Sequence, residues 1–287
     1  MRYSVGLPVD HVAHPHEFLT GDAVAEMAAA VEAEGLDAVF VTDHPAPDDR
    51  WLSGGGHHAQ DPLIALAFAA AATRRISLHT HVFVATYRNP FLAAKAVATL
   101  QTLSGGRVIL GVAAGYLKPE FAALGADFET RNDMLDETIA LMRRVWTDDG
   151  VAVTTDRYSA RGVTQLPHPV SVPIWIGGNS MRAMRRAVEI GDGWSPFPNP
   201  PAAARAVKTP AITNLDELGV RLDAARAYAD EIGRTKPLTI CFGAFDRGDD
   251  HAAYADLGIE WLAVQFAGCT TRAEWMVRLQ EFAARVG

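Results

Sequence analysis

Residues 103–120 read Leu-Ser-Gly-Gly-Arg-Val-Ile-Leu-Gly-Val-Ala-Ala-Gly-Tyr-Leu-Lys-Pro-Glu, and this stretch decides the fold. Leu100 and Leu103 close the apolar face of a helix, and Gly105-Gly106 stop it where a left-handed residue is needed. Residues 107–112 form a short apolar run suited to a strand covered on both faces. Gly111 and Gly115 withdraw side chains where that strand ends, which predicts room for a ligand against the backbone. In parallel α/β folds the C-terminal ends of the strands carry the chemistry.

The same alternation runs outward in both directions. Strands are expected at 3–7, 38–42 and 76–84, with helices over 23–34 and from Asp61-Pro62, an N-cap followed by proline. Pro90 opens the helix that leads into the quoted segment. Leu135, Ile139, Met142 and Trp146 then fall on one helical face, and 150–169 reads as an excursion with short strand pieces. Strands at 173–176, 193–195, 238–242 and 259–266 follow, with helices over 181–190, 215–232 and from Thr271. Eight strands, each followed by a helix or its remnant, predict an α/β fold of the closed (β/α)8 TIM-barrel type. Insertions are expected after strands four and six, with residues 1–287 forming a single domain. An open dinucleotide-binding sheet would need Gly-x-Gly-x-x-Gly after strand one, and none is there.

Composition narrows the function classes. The chain is 49% hydrophobic with a formal net charge of −8 and no basic run, which disfavours nucleic acid as a partner. No apolar run approaches the roughly 20 residues that span a membrane, and a strand beginning at Tyr3 leaves no room for a signal peptide. A cytoplasmic location is expected, with Cys241 and Cys269 as buried free thiols. Arginine outnumbers lysine 22 to 4, a compositional hint of a GC-rich genome.

Four strand ends stand out. Asp43-His44 places a carboxylate and an imidazole where a polar cofactor edge or a proton can be handled; capping of the turn into Pro45 is the plainer alternative. His79 and His81, two apart, point to the same side of the sheet. With His44 as third ligand they would make a metal site, the basis of a hydrolase. That reading is disfavoured because no inward carboxylate has clear ligand spacing. In the loop after strand four, small residues would let a flat ring lie against the strand end. Tyr116 could donate a proton there, and Glu120 could cap the next turn. Gly177-Gly178-Asn179-Ser180 precedes a helix, where backbone N–H groups form an anion site and Asn179 or Ser180 can cap. Arg182 and Arg185 in its first turns oppose the helix dipole unless an anion is near, which favours phosphate.

On these residues the chain resembles the bacterial luciferase-like monooxygenase superfamily, and within it the coenzyme F420-dependent oxidoreductase branch. The matching segments are 35–44, Tyr-Arg-Asn-Pro (87–90), 103–116, Phe-Glu-Thr-Arg (128–131), 172–180 and Gly-Asp-Gly-Trp (191–194). From about Pro196 onward the similarity is one of fold. The resemblance implies a TIM barrel holding reduced deazaflavin, or alternatively FMN, at the strand ends. It implies that Asp43 contacts the ring, that His44 is an acid–base group, and that a non-prolyl cis peptide at His81–Val82 supports the ring. Gly115 would flank the ring, and Gly177, Gly178, Asn179 and Ser180 would hold the cofactor phosphate. Two departures separate the chain from the sugar-phosphate dehydrogenases of that branch. They carry glutamate where this chain has Tyr116, and a pocket tryptophan roughly where it has Asp48.

The expected function is therefore hydride transfer from reduced F420 to an unsaturated or carbonyl small molecule, with His44 and Tyr116 as catalytic residues. Deazaflavin carries carbon beside its reactive position where flavin carries nitrogen, which favours reductase or dehydrogenase chemistry over oxygenation. The alternatives are an FMN-dependent monooxygenase fed by a separate reductase, and a cofactor-binding protein without turnover. Similar proteins are often homodimers.

Overall fold

The computed structural model describes residues 1–207, 209–246, 248 and 250–287. Eight parallel strands close into a barrel, and a two-stranded hairpin lies outside it. In chain order the strands are β1 (Arg2–Gly6), β2 (Ala38–Val41), β3 (Ser77–Val84), β4 (Val108–Ala113), β5 (Val151–Thr154), β6 (Ser159–Val163), β7 (Ile174–Gly177), β8 (Gly193–Ser195), β9 (Thr239–Gly243) and β10 (Trp261–Val264). The barrel runs β1-β10-β9-β8-β7-β4-β3-β2, with β5 and β6 paired antiparallel between β4 and β7 in sequence. Observed strand limits differ from the expected ones by one or two residues at most ends.

The strands' period of two divides the core into two layers. Ala38 and Phe40 of β2, Ile109 of β4, Trp175 of β7, Cys241 of β9, and Trp261 and Ala263 of β10 fill the barrel interior. Alternate residues such as Val39, Val41, Leu110, Ile174 and Ile176 face the helices. Leu135, Ile139, Met142 and Trp146 are all buried on the helix Arg131–Thr147, as their spacing requires. One expectation fails here. Leu100 is buried, but Leu103 is 76% exposed and closes no apolar face.

The quoted segment is built as its glycines suggest at one end and otherwise at the other. The helix Pro90–Leu103 ends on Gly105 and Gly106, both at positive φ. Arg107 is a staple rather than a strand residue, donating to the carbonyls of Ala70, Thr73, Ile76 and Ser104. Gly111 does not make room for a ligand: a Cβ there would stand 2.2 Å from the Thr80 carbonyl oxygen of the adjacent strand. Gly115 has φ +77°, and a Cβ would press on Val84 and Phe121. Both glycines are required by the protein's own packing. Cys241 and Cys269 are both buried.

Candidate active site

A cavity of about 500 Å³ opens at the C-terminal ends of β2, β3, β4, β7 and β8, the face on which barrel enzymes build their sites. Asp43, His44, His81, Val82, Gly115, Tyr116, Gly177, Gly178 and Ser180 all line it, so nearly the whole expected set converges.

Asp43 and His44 follow β2 directly and turn to different partners. The Asp43 carboxylate is 3% exposed and bound by Arg88 through both guanidinium nitrogens, at 2.6 and 3.0 Å. The Val84 N–H donates to it at 2.8 Å. Burial pushes this carboxyl up, against the pull of Arg88 and the Val84 N–H. Arg88 comes from the Tyr-Arg-Asn-Pro segment.

His44 sits between two partners, Glu120 on Nδ1 at 3.2 Å and the Tyr116 hydroxyl on Nε2 at 3.2 Å. Glu120 is not the exposed cap its position suggested. It is fully buried and also accepts from Tyr87 Oη at 2.8 Å and the Ala46 N–H at 3.1 Å. Burial works against its charge, yet the bonds from His44 and Tyr87 hold it below the usual carboxylate range. An ionised carboxylate only accepts, so Nδ1 of neutral His44 carries the proton and Nε2 presents a lone pair. Tyr116 then donates to Nε2. Burial, with the Glu120 charge, pushes the Tyr116 hydroxyl up to about 12, so it holds its proton at neutral pH. The result is a directional chain, Tyr116 to His44 to Glu120.

Aromatic rings surround His44. Trp51 lies 4.3 Å and His57 4.9 Å from it, centroid to centroid. Trp51 rides on the short helix Asp49–Ser53, whose N-cap is Asp48. A tryptophan therefore stands three residues beyond position 48, packed on His44 rather than in the cavity lining itself.

On β3 the His81–Val82 peptide is cis, as the resemblance implied. His79 and His81 do point inward together, with ring centroids 5.0 Å apart. Among the described residues, the potential ligand grouped with them is not His44 but Cys241 of β9, whose ligand atom lies within 4.8 Å of theirs. Ser4 and Ser195 hydroxyls bond their Nδ1 atoms at 3.3 and 3.4 Å. Burial holds His81 down to about 4 and His79 well below its usual value.

Two details of the expected phosphate wall are corrected. Asn179 does not line the cavity. Its side chain donates to the carbonyls of Phe197 and Pro210 and accepts from the Phe197 N–H, pinning the 196–210 loop. Ser180 is the N-cap of the helix Met181–Ile190. The anions beside its arginines are protein carboxylates: Arg182 bridges Asp133 and Asp136, and Arg186 bonds Asp136 and the Asn132 carbonyl. Arg185 instead stacks on Tyr228. What remains for a ligand on this wall is the Gly177-Gly178 backbone, the helix N-terminus, and Arg131, Asn132, Arg182 and Arg186 in the lining.

The residues missed from sequence are Arg88, Glu120, Trp51, His57 and Tyr87. A helix-start Asp48 three residues before Trp51 was a usable signal for that ring; the others are joined to the site only by folding.

Residues 1–210 match the family model for luciferase-like monooxygenases. The F420-dependent glucose-6-phosphate dehydrogenase of Beutenbergia cavernae is 38% identical over 193 residues, which are 66% of this chain and 56% of that protein. The chain thus matches little more than half the length of this curated relative. Among solved structures, the monooxygenase RslO1 from Streptomyces bottropensis superposes with a TM-score of 0.77 at 19% identity, covering 100% of this chain and 98% of that one. An F420-dependent secondary alcohol dehydrogenase bound to an F420–acetone adduct gives 0.72 at 17% identity, covering 99% and 97%. At these identities the structures show the fold alone.

Proposed function

The chain belongs to the luciferase-like monooxygenase family, and on that premise we propose that it is an F420-dependent oxidoreductase acting on an unsaturated or carbonyl small molecule, or on the corresponding alcohol in reverse. The observation that carries the reading is the Tyr116–His44–Glu120 chain opening into the cavity lined by cis His81–Val82 and Gly177-Gly178. The F420-dependent glucose-6-phosphate dehydrogenases that the chain resembles in sequence support the choice of cofactor.

The residues fit such a group. A cavity of about 500 Å³ lies in the range of cofactor sites. One wall offers helix N-terminal amides and arginines for phosphate, and another offers the His81–Val82 backbone as a platform. Bound there, reduced deazaflavin supplies hydride. The protein moves the accompanying proton along one chain. In reduction it passes from the His44 imidazolium to Tyr116 Oη as Tyr116 gives its own proton to the substrate. In oxidation it runs from the alcohol through Tyr116 Oη to His44 Nε2, and Glu120 stabilises the imidazolium in both directions. Asp43, saturated by Arg88 and Val84, ties the β2 end to the β3 end and so positions His44. The buried thiol of Cys241 suits a cytoplasmic setting.

Fluorescence titration of the purified chain with F420 and FMN, followed by turnover assays over enones, imines, aldehydes and secondary alcohols, tests the proposal. Tight F420 binding and turnover of at least one class are expected. Tighter binding of FMN would move the chain to the two-component monooxygenases, and F420 binding without any turnover would make it a carrier.

A further inference from the structure

The cationic and the aromatic side chains of the cleft come from different elements. Among the described residues lining it, the arginines Arg131, Arg182 and Arg186 lie on the helices Arg131–Thr147 and Met181–Ile190, the latter two paired with Asp133 and Asp136. One end is walled by His44, His57 and Tyr116, with Trp51 behind them at 4.3 to 6.4 Å between centroids. Burial keeps His57 below the usual imidazole range, so its ring is neutral. Arg88, from the neighbouring β3 end, is held by Asp43 and Asp61.

A phosphate monoester placed at this end would surrender its hydration to the faces of His44, His57 and Tyr116, none of which carries a fixed positive charge to replace it. A planar, uncharged compound would lose little on desolvation and gain offset stacking on the rings. Resting on the proposed reading that substrate occupies the end of the cleft beside Tyr116 and His44, we infer that this end selects uncharged, flat conjugated carbonyl compounds and rejects sugar phosphates, with Trp51 as a specificity-determining residue. The chain thus parts from its sugar-phosphate-oxidising relatives by the chemistry of one wall while keeping the other.

Calorimetric titration with 2-acetylnaphthalene and 2-naphthyl phosphate, which share a ring system and differ in charge, tests this on the full chain with and without F420. In the loaded chain the ketone should bind at least ten-fold tighter than the phosphate, and excess glucose 6-phosphate should not displace it. Trp51→Leu should weaken the ketone about ten-fold and leave F420 affinity unchanged, with Trp51→Phe restoring most of the loss. Equal or tighter binding of naphthyl phosphate in the loaded chain, displacement by glucose 6-phosphate, or indifference to Trp51→Leu would overturn the inference. Should F420 itself fail to bind, the cofactor proposal falls. The Trp51-dependent preference in the unloaded chain still decides the specificity of this end: Trp51-sensitive ketone binding supports it, and Trp51-insensitive binding refutes it.

Discussion

The mouth and the interior of the barrel each hold inward-facing imidazoles, and they are equipped for opposite tasks. At the mouth His44 has a charged carboxylate behind it and a phenol in front. In the interior, His79 and His81 meet serine hydroxyls, the Cys241 thiol and aromatic rings. Burial keeps both interior rings neutral and pushes the thiol up to about 12. What an imidazole can do is set by the partner on its far nitrogen: a carboxylate stabilises the imidazolium and fixes the tautomer, whereas a hydroxyl does neither.

The largest expected consequence is in turnover. His44→Ala should lower kcat about 1,000-fold, within the usual span of general acid–base catalysis, with F420 affinity unchanged. His79→Gln should stay within a few-fold of wild type. Equal losses in steady-state assays of the two variants would erase the contrast. Next comes stability. Arg88→Met leaves the Asp43 carboxylate buried without its counter-charge, a loss of about 3 kcal/mol by urea unfolding, at the low end because Arg88 is part-exposed. Adding Asp43→Asn should recover part of it, and full additivity of the two changes would show that the pair is not coupled. Glu120→Gln keeps the shape and the acceptor for Nδ1 while removing the charge. A fall in kcat of about ten- to a hundred-fold, with KM little changed, is expected from the loss of imidazolium stabilisation.

How much of this was legible in the sequence follows from the distance between partners along the chain. The barrel was readable because strand alternation and caps are local signals, and Asp43-His44 because the two are adjacent. The groups that define their roles are remote: Glu120 lies 76 positions from His44, and Arg88 lies 45 from Asp43. A glutamate in a first helical turn is also the ordinary complement to the helix dipole, so nothing local marked Glu120 as a site residue. Gly111 was read as space for a ligand because the carbonyl it accommodates belongs to a neighbouring strand. Arg182 was read as a sign of a nearby phosphate because the carboxylates it pairs with lie on another helix.

The smallest expected effect isolates the interior pair. An imidazole titrates near 6.5 in an unfolded chain, but His81 is held to about 4 in the barrel and His79 well below the usual value. As pH falls from about 6.5 toward 4, the unfolded chain takes up protons that the folded chain refuses, so stability is lost over that window and is fully present above it. Each such group steepens the dependence by up to about 1.4 kcal/mol per pH unit. His79→Gln cannot titrate, so urea unfolding between pH 7 and pH 5 should show a slope flatter by about that amount than in wild type. If the slopes coincide, His79 takes up its proton in the folded barrel as readily as in the unfolded chain, and the interior is not the neutral counterpart of the mouth.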